Sequence, residues 1–259
     1  MNHYATILAN GNETEKAKAI KYYKMAIEKG NSSAMYNYAL MIEKGDGIVM
    51  NREQSVKYYK MAIEKGNDTS MLNYSTMIKY GDGVFITNEE VIKYLRMAIL
   101  KGNAQAMNNY ASMLRNGIGI DMDKEEAIKY YKMAIVRGNT DATFNYATML
   151  AEGEGIPVNK NLAIEGYKIA INKGHSNSMN NYAVMLSKGD GIEVNREEAR
   201  KYFKMAIEKG NSDAMYNYAL MLLDENEYDT DEVAKYIKMA ADFGNPRALN
   251  AYEKFKRIK

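Results

Sequence analysis

The apolar positions of this chain fall into short stripes that alternate with glycine-marked breaks. In residues 33–68, Ala34, Tyr38, Met41 and Ile42 lie at i, i+4, i+7 and i+8. That spacing puts them on one face of a helix over 33–44. Gly45-Asp46-Gly47 closes it, because glycine takes up the left-handed conformation that ends helices. Ile48 then drops an apolar side chain from the loop. Val56, Tyr59, Ala62 and Ile63 form a second stripe and predict a helix over 52–65, closed by Gly66. Its entrance carries Asn51 with Gln54 three residues on, a capping-box spacing that recurs at Thr87–Glu90, Asp123–Glu126 and Asn195–Glu198.

This two-helix unit is copied down the chain. Gly30-Asn31, Gly66-Asn67, Gly102-Asn103, Gly138-Asn139 and Gly210-Asn211 sit on one 36-residue grid, with Gly174-His175 in the remaining slot. Neither helix buries its stripe alone, so the copies must stack into a repeat array. The expected organisation is one array: a partial first repeat over 1–32, repeats over 33–68, 69–104, 105–140, 141–176, 177–212 and 213–246, and a capping helix over 247–259. Ala26, Ala62, Ala98, Ala134, Ala170, Ala206 and Ala240 form a small-residue column where neighbouring helices approach. Met41, Met77, Met113, Met149, Met185 and Met221 read as core filling rather than soft-metal ligands. The unit over 141–177 departs most, because Gly166 stands where Tyr22, Tyr58, Tyr94, Tyr130, Tyr202 and Tyr236 stand elsewhere.

The run Ala106 … Tyr110-Ala111 … Gly117-Ile118-Gly119-Ile120 … Ala127 … Tyr130-Tyr131-Lys132 … Ala134 … Gly138 resembles the Sel1-like repeat family, a relative of the tetratricopeptide repeat. The chain departs from the family pattern by using tyrosine where tryptophan is frequent and Tyr-Ala where Leu-Gly is frequent. The resemblance implies an all-α, right-handed α/α superhelix of about seven helix-turn-helix repeats, acting as a protein-binding scaffold.

Composition narrows the function. A formal net charge of +2 gives no global field for nucleic acid or a membrane surface. The chain has no cysteine, which excludes disulfides, thiolate metal sites and a cysteine nucleophile. No apolar run approaches a membrane span, and MNHYATILANGNETEK lacks the charged and apolar regions of a secretory signal, so a cytoplasmic protein is expected. Met1 aligns with Met35, so the chain opens inside a first helix without its own cap. Lys254, Lys256, Arg257 and Lys259 give the last helix a polar, solubilising face.

Motifs that suggest chemistry dissolve into the repeat. Gly45-Asp46-Gly47, Gly81-Asp82-Gly83 and Gly189-Asp190-Gly191 join two helices, whereas a phosphate loop follows a strand and ends in Gly-Lys-Ser/Thr. Asp121, Asp123, Glu125 and Glu126 lack the order of a calcium loop, so Asp123 reads as a cap. His3 and His175 belong to no spaced ligand set and read as surface residues. No catalytic residue, metal site or cofactor is expected.

Binding is expected where the copies differ. The first-helix columns read Tyr36, Leu72, Asn108, Phe144, Asn180, Tyr216 and Leu40, Thr76, Ser112, Thr148, Val184, Leu220, followed by a column holding Lys79 and Arg115. In related tetratricopeptide folds the first helices line the concave groove, so the resemblance implies a peptide or protein segment bound there. Tyr36, Leu72, Phe144 and Tyr216 serve as anchors, and Lys79 and Arg115 meet an acidic group. Asn37, Asn73, Asn109, Asn145, Asn181 and Asn217 border that face. They read either as an amide ladder for a bound backbone or as bonds to backbone of a neighbouring helix or joint. The expected function is thus a non-enzymatic scaffold or adaptor, with self-association through an open stack end as a further option. One alternative is a regulatory repeat segment of a larger signalling protein. A hydrolase is the weaker one: cysteine-rich members of the family have been linked to that activity, and this chain has no cysteine.

Overall fold

The computed structural model describes residues 1–77, 87–224 and 230–258, apart from the side chains of 68, 72, 75–77 and 254–258. Fifteen helices and no strand occur among the described residues. In chain order they are α1 (Asn2–Ala9), α2 (Glu13–Glu28), α3 (Ser32–Lys44), α4 (Arg52–Glu64), α5 (Asp68–Met77), α6 (Asn88–Leu100), α7 (Ala104–Asn116) and α8 (Lys124–Val136). Then follow α9 (Thr140–Glu152), α10 (Lys160–Asn172), α11 (Ser176–Lys188), α12 (Arg196–Glu208), α13 (Ser212–Leu223), α14 (Thr230–Asp242) and α15 (Pro246–Ile258). The chain divides into two compact units, Met1–Ala134 and Ile135–Lys259. Within the first, α1 packs on α2, α3 on α4 and α5 on α6; within the second, α9 packs on α10, α11 on α12, and α14 on both α13 and α15.

Both stripes read from the sequence are buried. Ala34, Tyr38, Met41 and Ile42 line the inner face of α3, and Val56, Tyr59, Ala62 and Ile63 that of α4. Every member of the alanine column is buried as well. Met41, Met149, Met185 and Met221 are core residues and Met113 is half-buried, while the Met77 side chain and the Gly81-Asp82-Gly83 loop lie outside the description. The basic side chains from Lys254 to Lys259 lie outside it too.

After α1, whose entry at Met1 has no side-chain cap, the first helices open on one. The amides of Asn31, Asn103, Asn139 and Asn211 accept from the N–H three residues on. His175 does the same job, its Nδ1 accepting from Ser178 N at 3.2 Å. This corrects the surface reading of His175, which is half-buried against the Phe144 ring, 4.8 Å away. Burial holds the imidazole below its ordinary pKa, although Asp141 at 3.5 Å pulls the other way. His3 is exposed, as expected.

The second helices are capped by Asn12, Asn51, Thr87, Asp123, Asn159 and Asn195. The reciprocal bond of a full capping box forms at Asn12–Glu15, a pair the sequence reading did not single out. At Thr87 the Glu90 carboxylate is engaged elsewhere, accepting from Tyr74 at 2.6 Å and pairing with Lys60 at 2.8 Å. Burial alone would raise the Glu90 carboxyl, but those two bonds outweigh it and hold it below the usual range.

First helices end at Gly45, Gly117, Gly153 and Gly189, whose φ values of 65–75° are left-handed and favour glycine. The aspartates beside the first and last of these are structural ties: Asp46 pairs with Lys16 and Asp190 with Lys160, each at 2.7 Å. No group of three or more acidic or histidine ligands that could hold a metal occurs among the described residues. None of the described helices is long and apolar enough to cross a membrane.

Candidate functional site

Every second helix except α10 carries a pair of bulky residues at successive positions, and the two members do different work. The first packs inside its own hairpin. Tyr58 stands edge-on to Tyr38 at 4.8 Å, Tyr94 to Tyr74 at 5.1 Å, Tyr202 to Tyr182 at 5.0 Å and Tyr236 to Tyr218 at 4.8 Å. Edge-to-face stacking matches the positive ring edge to the negative ring face. In α10 this position is Gly166, and α9 lies so close that an added Cβ would sit 2.8 Å from the Ala147 Cβ.

The second member points toward the varied face. Tyr59 is fully buried, donates its hydroxyl to Glu43 and stacks obliquely on Tyr36, ring centres 6.0 Å apart. Burial, reinforced by the Glu43 carboxylate, pushes this phenol well above its ordinary range. Tyr167 shares a hydrogen bond with Thr148 at 3.2 Å and stacks on Phe144. Burial raises it too, partly offset by its bonds to Thr148 and Asn181.

Asn37, Asn73, Asn181 and Asn217 bond side chains of the preceding repeat. Asn181 donates to the Tyr167 hydroxyl at 3.3 Å, and Asn37 and Asn73 likewise reach Tyr23 and Tyr59. Each of these pairs is fourteen residues apart. Where the residue fourteen back is Leu95 or Phe203, the amide turns to other polar partners. Asn109 accepts from Gln105 at 3.1 Å, and Asn217 donates to Asn180 at 2.9 Å. Asn37 also reaches Asn2 and Thr6, and Asn73 reaches the Tyr36 hydroxyl, each at 3.3 Å. Asn145 is half-buried.

The remaining predicted residues separate by exposure. In the first unit Tyr36, Leu40, Ser112 and Arg115 are half-buried on the first-helix face. Asn108 lies beneath it, only 6% exposed, with its amide toward Asn109. The Leu72 and Thr76 side chains and Lys79 lie outside the described residues. In the second unit Phe144, Val184 and Tyr216 are half-buried and Leu220 is 41% exposed. Asn180 and Thr148 are buried, so they support the surface without forming it. Variation between copies reached these positions because a buried amide or hydroxyl is tolerated once a neighbour accepts its proton.

Sequence reasoning missed one element of the second unit. Between α11, α12 and α13 lies a cavity of about 70 Å³ whose walls include Val184, Asn217 and Leu220. The signal was available: Phe203 stands where α2, α4, α8 and α10 carry tyrosine.

A family profile described as Sel1 repeat matches residues 1–31, 32–67, 104–139, 140–175, 176–211 and 212–242. No curated protein matches the chain by sequence. Among solved structures, a Sel1 repeat protein from Oxalobacter formigenes superposes with a TM-score of 0.83 at 23% identity, covering 93% of this chain and 99% of that one. A protective antigen of uropathogenic Escherichia coli with an SLR fold gives 0.75 at 23% identity over 97% of this chain, which spans 55% of that antigen's length. An immunity protein of Pseudomonas aeruginosa gives 0.59 at 17% identity, covering 83% of this chain and 82% of that one. The helices, the repeat grid and the profile matches agree: the chain belongs to the Sel1 repeat family and has its all-α repeat-solenoid fold.

Proposed function

We propose that this protein is a non-enzymatic scaffold that holds a peptide or an extended protein segment against its first helices. Sel1 repeat proteins generally serve as protein-interaction scaffolds, and the family is typically non-enzymatic. The observation that carries the finer reading is the contrast between copied and uncopied positions. The copied stripes are spent on the core. The uncopied first-helix positions leave Tyr36, Leu40, Phe144, Val184, Tyr216 and Leu220 partly or largely open to solvent. Aromatic anchors beside polar groups suit a segment bound by a few side chains and oriented by hydrogen bonds. The asparagine column contributes as a frame, since the amides of Asn37, Asn73, Asn181 and Asn217 are engaged with the preceding repeat.

The test is retention of a random displayed-peptide library by the full chain. Peptides held by the wild type and released by the double variant Tyr36→Ala, Phe144→Ala support the reading, provided both proteins keep the same helical circular-dichroism spectrum. Retention indifferent to that variant overturns it. Asn109→Ala isolates the frame: a lower unfolding midpoint with intact retention is expected, and the reverse pattern returns the asparagines to direct contact with the guest.

A further inference from the structure

Position 203 is the step at which α4 and α10 carry Tyr59 and Tyr167. In those hairpins the hydroxyl meets Glu43, sixteen residues earlier, or Thr148, nineteen earlier, and an asparagine of the next first helix. The counterparts around Phe203 are Ser187, Val184 and Asn217. Phe203 is fully buried and has no oxygen to offer them. Ser187 instead turns its hydroxyl back onto the Val184 carbonyl at 2.9 Å, and Asn217 turns to Asn180. The space left by the missing hydroxyl and its acceptor is the cavity of about 70 Å³, which these four residues help line.

The walls have a definite chemistry. Phe203, Met221, Val184 and Leu220 make an apolar floor. Lys188 and Arg196 stand at the rim with Asp224, and one Arg196 N–H is held by the Asp224 carbonyl at 3.2 Å. Among the described residues, two cations stand against one carboxylate at the mouth. The cavity is roomy enough for several water-sized groups, and a glutamate side chain has five heavy atoms.

We propose that this cavity receives a glutamate side chain from the bound segment, with its methylenes on Phe203 and Leu220 and its carboxylate against Lys188 and Arg196. The assignment rests on the reading that the first-helix face binds such a segment. Glutamine has the same shape but lacks the charge that strengthens bonds to ammonium and guanidinium groups.

The experiment is an amide NMR titration of the full chain with N-acetyl-glutamate N-methylamide, run beside the glutamine analogue. Saturable shifts confined to the ends of α11 and α13 and the start of α12 are expected, with a Kd of about 1 mM for so few atoms. The glutamine analogue and the exposed-site variant Lys188→Gln should each weaken binding about tenfold, consistent with loss of one charge-assisted bond. Phe203→Tyr should abolish it while preserving the fold, because α2, α4 and α10 already carry tyrosine at that step. Absence of saturable shifts, equal affinity for the two analogues, or binding that survives Phe203→Tyr overturns the proposal. Displayed peptides that need Phe144 yet show no acidic preference and ignore Lys188→Gln also overturn it, and leave the proposed function standing.

Discussion

The α9–α10 and α11–α12 hairpins lie in one unit, share one cadence and depart from the same aromatic pair at opposite members. In α10 the first aromatic is gone: Gly166 faces Ala147, and the helices close until a Cβ no longer fits. The second, Tyr167, keeps its bonds to Thr148 and Asn181. In α12 the first aromatic remains, with Tyr202 edge-on to Tyr182. The second is Phe203, and a cavity opens where its hydroxyl would lie. The hairpin therefore absorbs loss of its inner ring by approaching, whereas loss of a single oxygen leaves unfilled space. The difference follows from geometry. Two helices of one hairpin can slide together, but the second aromatic sits among α11, α12 and α13, and closing on it would require three elements to move.

The comparison breaks first at Tyr167. Tyr167→Phe should cost about 1–3 kcal/mol, because the buried Thr148 hydroxyl and the Asn181 amide lose a partner; denaturant unfolding followed by circular dichroism reads it. A neutral outcome would mean that the hydroxyl at this step is incidental, and the cavity at Phe203 would lose its explanation. A smaller effect is expected from Gly166→Ala. The added Cβ meets Ala147 at 2.8 Å, and overpacking of this kind costs about 1–3 kcal/mol. Improved helix propensity returns about 1 kcal/mol, so the net change is a mild loss in the same unfolding experiment. A gain in stability would show that the two helices can separate freely.

The smallest effect concerns His175, which ties α11 to Phe144 and Asp141. Its pKa in the folded chain is lowered from the model-peptide value of 6.5. The unfolded chain therefore binds the proton more readily, so the stability it contributes is whole above pH 6.5 and falls as the pH drops toward the lowered folded value. His175→Asn places the residue used at the other caps and should flatten that part of the profile. The check is the thermal midpoint measured across the acid side of neutrality in the two proteins.

Much of this was legible in the sequence. The stripes Ala34–Ile42 and Val56–Ile63 and the cap at Asn51 follow from spacings of a helical turn or two, and the alanine column from the 36-residue grid. The fate of the asparagine column did not follow. Whether Asn181 or Asn217 reaches a phenol depends on the residue fourteen positions back, on a different helix, and local spacing carries no information about it. Asn108 and Asn180 misled for a related reason. Their column varies as a surface would, yet each amide is buried with a neighbour to satisfy it. His175 was passed over because its role as a cap needs only a nitrogen lone pair, which a reading framed around metals and catalysis does not look for.

The phenol–amide links carry a lesson for anyone recutting this protein. Most copies run 36 residues on one pattern, which invites shuffling them like identical bricks. They are not identical at the joint. An α5 whose Asn73 meets Tyr59, transplanted behind α12, would find Phe203 in place of the phenol and keep only the Asn180 contact that Asn217 makes there. Grafts that travel with the preceding tyrosine should therefore outlast grafts chosen by repeat boundary alone.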